Sequence, residues 1–136
     1  MAKKQENSSS RSGTPAGMRD ALKKATTEML VLFLLRQKPM YVYEMQQEIE
    51  RITGGALTFN TLYLAIYRLQ EHQYICESRQ VIIGGRARTY FAPTESGLTY
   101  YRELREEYTL FTGIIGNVLA QDGKLYGEES GCLSGN

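Results

Sequence analysis

The stretch GGRARTYFAPTESG, residues 84–97, holds the basic side chains that are best placed for a chemical role. Two adjacent glycines tolerate the positive φ angles of a tight hairpin turn, so we expect Gly85 and Arg86 at the tip of a β hairpin. An arginine at an exposed tip suits contact with DNA phosphates, because neutralised phosphates release their counterions. The alternative for Arg86 is a solvated turn arginine, and for Arg88 it is an ion pair with an acidic neighbour.

A second group of hydrogen-bonding side chains lies on a helix that is predicted for residues 58–72, with Thr58 as its N-cap. Leu62, Ile66 and Leu69 recur at helical spacing and form the stripe that faces the core. The opposite face carries amide, hydroxyl and apolar groups, which are able to meet base edges, phosphates and thymine methyl groups. Packing of its tyrosines against the hairpin or a partner helix is the alternative. The predicted DNA contacts of helix and hairpin are Thr58, Asn60, Thr61, Tyr63, Leu64, Tyr67, Arg68, Gly85, Arg86 and Arg88.

Nothing in the sequence is typical of an enzyme. His72 is the only histidine, and its position at a predicted helix end favours a surface role. The sequence contains no Ser-His-acid set, metal-ligating cluster or phosphate-binding loop, so we expect no catalytic residue, no metal and no cofactor. The two cysteines form no disulfide framework, and Cys76, in a predicted strand, is expected to be buried and inert.

Length and charge indicate one domain with extensions. The chain has 136 residues, of which 42% are hydrophobic, enough for one modest core. Residues 1–93 hold 13 basic and 8 acidic side chains, a balance of +5, whereas residues 94–136 hold 3 and 7, a balance of −4. One end is therefore able to attract a polyanion that the other avoids.

No membrane segment or secretory signal is expected. The first residues lack an apolar core, and the longest strongly apolar run, Met29 to Leu35, is far shorter than the roughly 20 residues that span a bilayer. A cytoplasmic protein without a membrane partner is the resulting expectation.

Two further helices are predicted ahead of residue 58. The first runs from Asp20 to Gln37, and its apolar positions cover so much of the circumference that most of it must be buried. The second runs from Val42 to Ile52, with Met45 and Ile52 seven residues apart on the face toward the core.

Strands at residues 75–83 and 88–92 flank the Gly-Gly turn, and Thr94 caps a final helix. This order of elements is mainly α with a small β hairpin, and it is that of a winged helix-turn-helix followed by a long C-terminal dimerisation helix. The predicted division is a disordered polar tail over 1–17, the winged helix-turn-helix over 18–93, the dimerisation helix over 94–121 and a flexible tail over 122–136.

The final helix carries an a/d seam, which is the pattern of a helix that pairs with another helix. A second copy of the chain would bury the seam and would present two third helices to adjacent half-sites of a palindromic operator. The predicted dimerisation residues are Tyr101, Leu104, Tyr108, Phe111, Ile115 and Val118.

Three stretches together resemble the PadR-like family of transcriptional regulators. They are MLVLFLLRQKPMYVYEM at 29–45, TFNTLYLAIYRLQEHQYI at 58–75 and GGRARTYFAPTESG at 84–97. The resemblance implies a homodimeric DNA-binding repressor that leaves its operator when a small molecule or another signal reshapes the dimer.

The same resemblance implies that an aromatic effector is able to bind at or near the dimer interface. Residues that would line such a site are Tyr100, Tyr101, Tyr108 and Phe111. A packed aromatic seam is the alternative for these side chains, and it is the interpretation we prefer.

A winged helix is also able to serve as a protein-interaction adaptor without specific DNA binding. In that alternative, the tyrosine-rich third helix docks onto a partner protein instead of a DNA groove.

Overall fold

A computed structural model of the chain describes residues 11–60, 62–127 and 131–132. The described residues fold in two compact units, Met1–Glu103 and Leu104–Asn136. The elements in chain order are α1 (Pro15–Gln37), α2 (Val42–Ile52), α3 (Tyr63–Glu71), β1 (Ile75–Ile83), β2 (Arg86–Pro93) and α4 (Glu95–Leu119).

Helix α1 begins five residues before the predicted start at Asp20. The Thr14 hydroxyl accepts a hydrogen bond from the Gly17 backbone N–H at 3.1 Å, and Pro15 occupies the first turn, where its missing N–H costs nothing. The helix ends at Gln37 as predicted, because Pro39 disfavours the helical conformation at Lys38. Residues 15–17, which the sequence assigns to the tail, are therefore helical, and residues 1–10 lie outside the described residues.

Helix α2 has the predicted bounds but a different buried pair. Met45 and Ile49 are buried, whereas Ile52 is exposed, so the expectation for Ile52 is wrong. Residues four apart stand one above the other on a helix, and Met45 and Ile49 therefore share one face.

Helix α3 begins at Tyr63, later than the predicted start at Thr58. The side chain of Thr53 accepts the Leu57 backbone N–H at 3.0 Å, which closes the turn after α2. Leu62 then takes the N-cap position and is fully buried, although no side chain among the described residues caps the helix. Thr58 and Asn60 thus precede α3 rather than belonging to it.

The two strands form an antiparallel hairpin with a two-residue turn. Gly84 and Gly85 both have positive φ, +58° and +78°, as a type I′ turn requires. Strand β2 begins at Arg86, which pairs with Ile83, so Arg86 flanks the turn as a strand residue. The exposure of Cys76 on β1 shows that its predicted burial is wrong, because only one end of this strand reaches the core.

A short backbone connection joins β2 to the segment before α2. Met40 and Phe91 exchange two backbone hydrogen bonds, of 3.3 Å and 2.9 Å, although they are far apart in sequence. Met40 is thereby held against the hairpin, and Tyr41, the N-cap residue of α2, follows directly.

The core of the first unit collects apolar residues of α1, α2 and α3. In α1 the fully buried residues all lie between Val31 and Leu35, and Leu22 is 53% exposed, so the expectation that most of this helix is buried is wrong. Each buried leucine contributes about 1.5–3 kcal/mol relative to an exposed one, so this cluster supplies much of the folding free energy. Its members are Val31, Leu32, Leu34, Leu35, Met40, Met45, Ile49, Leu62, Ile66, Leu69, Ile75, Phe91 and Tyr101.

Helix α4 begins as predicted and is the last regular element of the described residues. The Thr94 hydroxyl accepts the Gly97 backbone N–H at 3.0 Å, and Glu95 places a negative charge at the positive end of the helix. The helix ends at Leu119, two residues before the predicted bound. Three helices, a hairpin and a long final helix form a winged helix-turn-helix with a C-terminal extension.

Candidate nucleic-acid interface

The outer face of α3 is exposed, as the predicted buried stripe requires. Tyr63 and Tyr67 are 73% and 59% exposed, and Leu64 and Arg68 are exposed beside them. A contiguous exposed apolar patch on a monomer often marks a surface that meets a partner, and these side chains lie on one helix.

Tyr67 is engaged at its hydroxyl end. Hydrogen bonding to the neighbouring Glu71 carboxylate, together with its negative charge, raises the pKa of Tyr67 above its usual value. The hydroxyl is therefore a neutral group at neutral pH, and it lies beside an acidic side chain at the end of α3.

The three polar residues predicted ahead of Tyr63 have different outcomes. Thr58 is half-buried and Asn60 is exposed, and both lie in the irregular segment before α3. Thr61 lies outside the described residues. The prediction that Asn60 lies on the helix face opposite the core stripe is therefore wrong, because Asn60 precedes the helix.

An open cleft of about 670 Å³ brings α3 and the hairpin together. One wall comes from α3, the other from β2, and the start of α2 contributes the end of the cleft. Its lining residues are Tyr41, Val42, Tyr43, Gln46, Tyr63, Ile66, Tyr67, Gln70, Arg86, Ala87, Arg88, Thr89 and Phe91. Four of the predicted contacts, Tyr63, Tyr67, Arg86 and Arg88, thus line one cleft.

The cleft is cationic. Arg86 and Arg88 line it, and none of the described lining residues is acidic. Glu44, in the first turn of α2, is not part of the lining, and its Oε2 accepts a hydrogen bond from Lys38 Nζ at 2.7 Å.

Arg88 is held by an aromatic side chain. Its guanidinium carbon lies 5.2 Å from the centre of the Tyr41 ring, which meets the Tyr90 ring edge-on at 5.3 Å. On the other strand, Arg79 stacks over Tyr90 at 4.4 Å. The two arginines thus flank a tyrosine pair, and each gains a cation–π interaction.

The start of α2 lines the cleft, although the contacts predicted from the sequence do not include it. Tyr41, Tyr43 and Gln46 line the cleft, as does Gln70 of α3. The spacing of Tyr43 and Gln46, three residues apart on one helix face, is a signal for a shared surface. Nothing local indicates Tyr41, since the Met40–Phe91 backbone pairing brings it to the hairpin.

The predicted dimerisation residues divide between the two units. Tyr101 is buried within the first unit. In the second unit, Leu104 is partly exposed, and the remaining four seam residues are exposed in the single chain: Tyr108, Phe111, Ile115 and Val118.

Tyr100, predicted as one lining residue of an effector site, is packed inside the first unit. Its ring stacks on Tyr74 with centroids 4.2 Å apart, and its hydroxyl donates a hydrogen bond to Glu28 Oε1 at 3.2 Å. Burial and the Glu28 carboxylate raise the pKa of Tyr100. These contacts favour the packed alternative for this side chain.

The described part of the chain contains neither a candidate membrane-spanning helix nor a candidate metal cluster. None of its helices is both long and apolar enough to cross a membrane. Within the same residues, no three His, Cys, Asp or Glu side chains are grouped in a way that would hold a metal ion.

Known proteins share both the sequence pattern and the fold. The model of the transcriptional regulator PadR-like family matches residues 31–103. A protein of Lysinibacillus sphaericus named "Uncharacterized protein X" is 30% identical over 90 residues, which cover 65% of this chain and 83% of that protein.

Solved structures agree with this match. A transcriptional regulator from Clostridium thermocellum superposes with a TM-score of 0.66 at 27% identity, covering 71% of this chain and 96% of that one. A PadR family transcriptional regulator from Eggerthella lenta gives the same TM-score at 28% identity, covering 76% and 90%.

Proposed function

This chain belongs to the PadR-like family of transcriptional regulators, and from that premise we propose that it is a homodimeric, sequence-specific DNA-binding repressor. Membership in a family of transcriptional regulators implies DNA-binding regulation, and it means that the protein is not an enzyme. The repressor role, the dimer and the individual DNA contacts are the proposal.

The observation that carries the proposal is the cleft shared by α3 and the hairpin. Because Tyr63 and Tyr67 line one wall and Arg86 lines the other, a duplex that reaches one wall also reaches the other. A recognition helix in the major groove with a hairpin on the adjacent backbone or minor groove is the docking mode that this arrangement suits.

The contacts divide by chemistry. Leu64 and the aromatic rings of α3 offer apolar surface to thymine methyl groups, and Asn60 offers an amide to base edges. Arg68, Arg86 and Arg88 are cations that suit phosphates and fix the register of the protein on the duplex. Thr58, Thr61 and Gly85 complete the proposed set as hydroxyl and backbone donors.

A second copy of the chain is the proposed partner of α4. An exposed row of apolar side chains at heptad spacing is costly in water, and pairing two such rows removes both from solvent. A two-fold dimer reads a palindromic operator with half-sites roughly 34 Å apart, one helical turn of DNA.

Release from the operator by a small molecule or another signal is the further part of the proposal. Tyr108 and Phe111 are exposed on α4 and are able to contact an aromatic compound at the dimer interface, whereas Tyr100 is already packed. The proposed site of action is the cytoplasm, which follows from DNA as the ligand.

The test of the proposal is an electrophoretic mobility shift assay. The probes are fragments of the native genome that bind to the purified protein. We expect affinity to fall steeply as salt rises, Arg86→Ala to weaken binding to all sequences, and Asn60→Ala to change sequence preference. If the folded dimer retards no fragment at low salt, DNA binding is refuted and the adaptor alternative is favoured.

A further inference from the structure

The turn that ends α3 has the hydrogen bonds of a Schellman motif. The Tyr74 backbone N–H donates to the Leu69 carbonyl oxygen at 2.8 Å, and the Gln73 backbone N–H donates to the Gln70 carbonyl oxygen at 2.9 Å. Gln73 follows the C-cap residue His72 and has a φ of +61°, the left-handed conformation that this motif requires there. The path of the chain as it leaves α3 is therefore fixed by hydrogen bonds to the helix itself.

The same two residues, Gln73 and Tyr74, also hold the start of α4. The Thr94 hydroxyl, which caps α4, donates to the Gln73 carbonyl oxygen at 2.7 Å, and the Ser96 hydroxyl donates to the same oxygen at 3.2 Å. The Thr94 backbone N–H donates to the Tyr74 carbonyl oxygen at 3.0 Å. One dipeptide is thus bonded both to the end of α3 and to the start of α4, although the whole hairpin separates these helices in sequence.

Aromatic side chains make a second connection between the same two helices. The ring of His72 stacks on Tyr74 with centroids 5.5 Å apart, and the ring of Tyr74 stacks on Tyr100 of α4 at 4.2 Å. The Tyr100 hydroxyl in turn donates a hydrogen bond to Glu28 of α1 at 3.2 Å. Stacked rings attract each other only while their faces stay close. A tilt of α3 against α4 would therefore disrupt both the stack and the shared hydrogen bonds.

We propose that this α3–α4 joint, formed by Gln73, Tyr74, Thr94 and Tyr100, holds α3 at a fixed angle to α4 and thereby sets the spacing of half-sites that the dimer accepts. The inference rests on the proposed function, in which α3 contacts DNA and α4 carries the dimer seam. In a two-fold dimer, the distance and the rotation between the two third helices depend on this angle in each subunit. The four residues are positioning residues, and none of them belongs to the proposed DNA contacts or to the seam.

The angle matters because the two half-sites lie on a helical molecule. One inserted base pair moves the second half-site by about 3.4 Å and rotates it by about 35°. A dimer with a stiff joint binds such a duplex only by twisting or bending the DNA, which costs deformation energy. A dimer with a loose joint follows the displaced half-site instead. The selectivity for spacing therefore reports the stiffness of the joint, and it is a separate quantity from the overall affinity.

The decisive comparison is between Thr94→Ala and the matched control Thr14→Ala. Each threonine caps a long helix, and each hydroxyl accepts a backbone N–H of the first helical turn, at 3.0 Å in α4 and at 3.1 Å in α1. The Thr14 hydroxyl donates to Arg11 within its own turn, whereas the Thr94 hydroxyl donates to Gln73 across the joint. Both substitutions therefore remove a helix cap, but Thr94→Ala also removes a hydrogen bond of the joint.

The probes are palindromic duplexes retained from the native genome, in their original form and with one base pair inserted or deleted at the centre. We expect the wild type and Thr14→Ala to bind the altered duplexes roughly tenfold more weakly than the original, and Thr94→Ala to lose only about threefold. Thr94→Ser keeps the hydroxyl and should be as selective as the wild type. Partial unfolding of a variant would weaken binding to every duplex alike and would leave the ratio of affinities unchanged.

Two substitutions of Tyr100 test the aromatic part of the joint in the same assay. Tyr100→Leu removes the stack on Tyr74 and should reduce the selectivity for spacing, whereas Tyr100→Phe keeps the ring face and should retain it. Tyr90→Leu is the control, because it removes a ring of the hairpin that packs on Tyr41 instead of on the joint. It should weaken binding to all three duplexes by the same factor.

The outcomes separate the joint from the proposed function. If the wild type binds its duplex but tolerates both changes of spacing, the inference is overturned and DNA binding stands. The same holds if Thr94→Ala or a folded Tyr100→Leu stays as selective as the wild type, or if Thr14→Ala or Tyr90→Leu loses as much selectivity as the joint variants. The threonine comparison decides the inference if Tyr100→Leu does not fold. If the wild type retards no duplex at low salt, the proposed function and the inference fail together.

Discussion

Gly97, in the first turn of α4, packs so tightly against the backbone of Tyr74 that a β-carbon at position 97 would lie 1.9 Å from the Tyr74 carbonyl oxygen. That oxygen also accepts the Thr94 backbone N–H at 3.0 Å. The start of α4 therefore packs directly against the segment that leads into β1. This close backbone contact requires a residue without a side chain at position 97.

Gly97→Ala is expected to destabilise the protein by about 3 kcal/mol or more, because backbone cannot move aside as a flexible side chain does. Denaturation by urea, followed by circular dichroism, measures the loss. Gly113→Ala is the control, since a β-carbon there meets no atom of the described residues within 4 Å and alanine favours a helix by roughly 1 kcal/mol. Equal stability of the two variants would contradict the close contact.

Gln73→Gly is expected to stabilise the protein. Gln73 follows α3 with a φ of +61°, the left-handed conformation, and its side chain is exposed. Glycine adopts that conformation without the cost of a β-carbon, so the free energy of unfolding should rise by about 0.5–1 kcal/mol. Ala65→Gly, within α3, should instead lose roughly 1 kcal/mol. A less stable Gln73→Gly variant would show that its side chain has an unrecognised role.

The hairpin and the bounds of α2 can be predicted from the sequence because their signals are local. Pro39 ends α1, and the glycine pair at 54–55 adopts positive φ angles, so the helix between them has little freedom in its length. The pair at 84–85 specifies a two-residue turn in the same way.

The cleft and the start of α3 cannot be predicted in this way because they depend on contacts between distant residues. Thr58 has the side chain of an N-cap, but the helix begins later, at Tyr63. The turn closed by Thr53 and the burial of Leu62 account for this later start. Tyr41 reaches Arg88 only through the pairing of Met40 with Phe91, which no local pattern encodes.

Phe111→Asp is expected to convert the proposed dimer to a monomer. Burying one phenylalanine contributes about 1.5–3 kcal/mol, and a two-fold interface loses two, so association should weaken roughly 100-fold or more. Leu110→Asp is the matched control, because Leu110 is 59% exposed against 56% for Phe111 but lies off the heptad seam. Sedimentation velocity distinguishes the species, and a dimer that survives Phe111→Asp but not Leu110→Asp would refute the seam.

Glu71→Gln is expected to strengthen binding to all duplexes and to lower the pKa of Tyr67 toward its ordinary value. The Glu71 carboxylate hydrogen-bonds to the neutral Tyr67 hydroxyl and its charge opposes ionisation of that hydroxyl. Removing the charge of Glu71 therefore makes the Tyr67 phenolate easier to form. The same negative charge repels phosphates at the end of α3. Titration of the Tyr67 ring by carbon NMR reports the pKa, and a mobility shift across salt concentrations reports the affinity. An unchanged affinity would place Glu71 away from the duplex.

Tyr41→Leu is expected to weaken DNA binding without changing its salt dependence. The ring lies 5.2 Å from the Arg88 guanidinium carbon, and a cation–π contact is worth about 0.5–1 kcal/mol, so affinity should fall roughly two- to fivefold. The number of neutralised phosphates stays the same because Arg88, a proposed phosphate contact, remains, which keeps the salt slope constant. Tyr41→Phe retains the ring face and should bind like the wild type. A loss in Tyr41→Phe equal to that in Tyr41→Leu would show that the hydroxyl, rather than the aromatic face, makes the contribution.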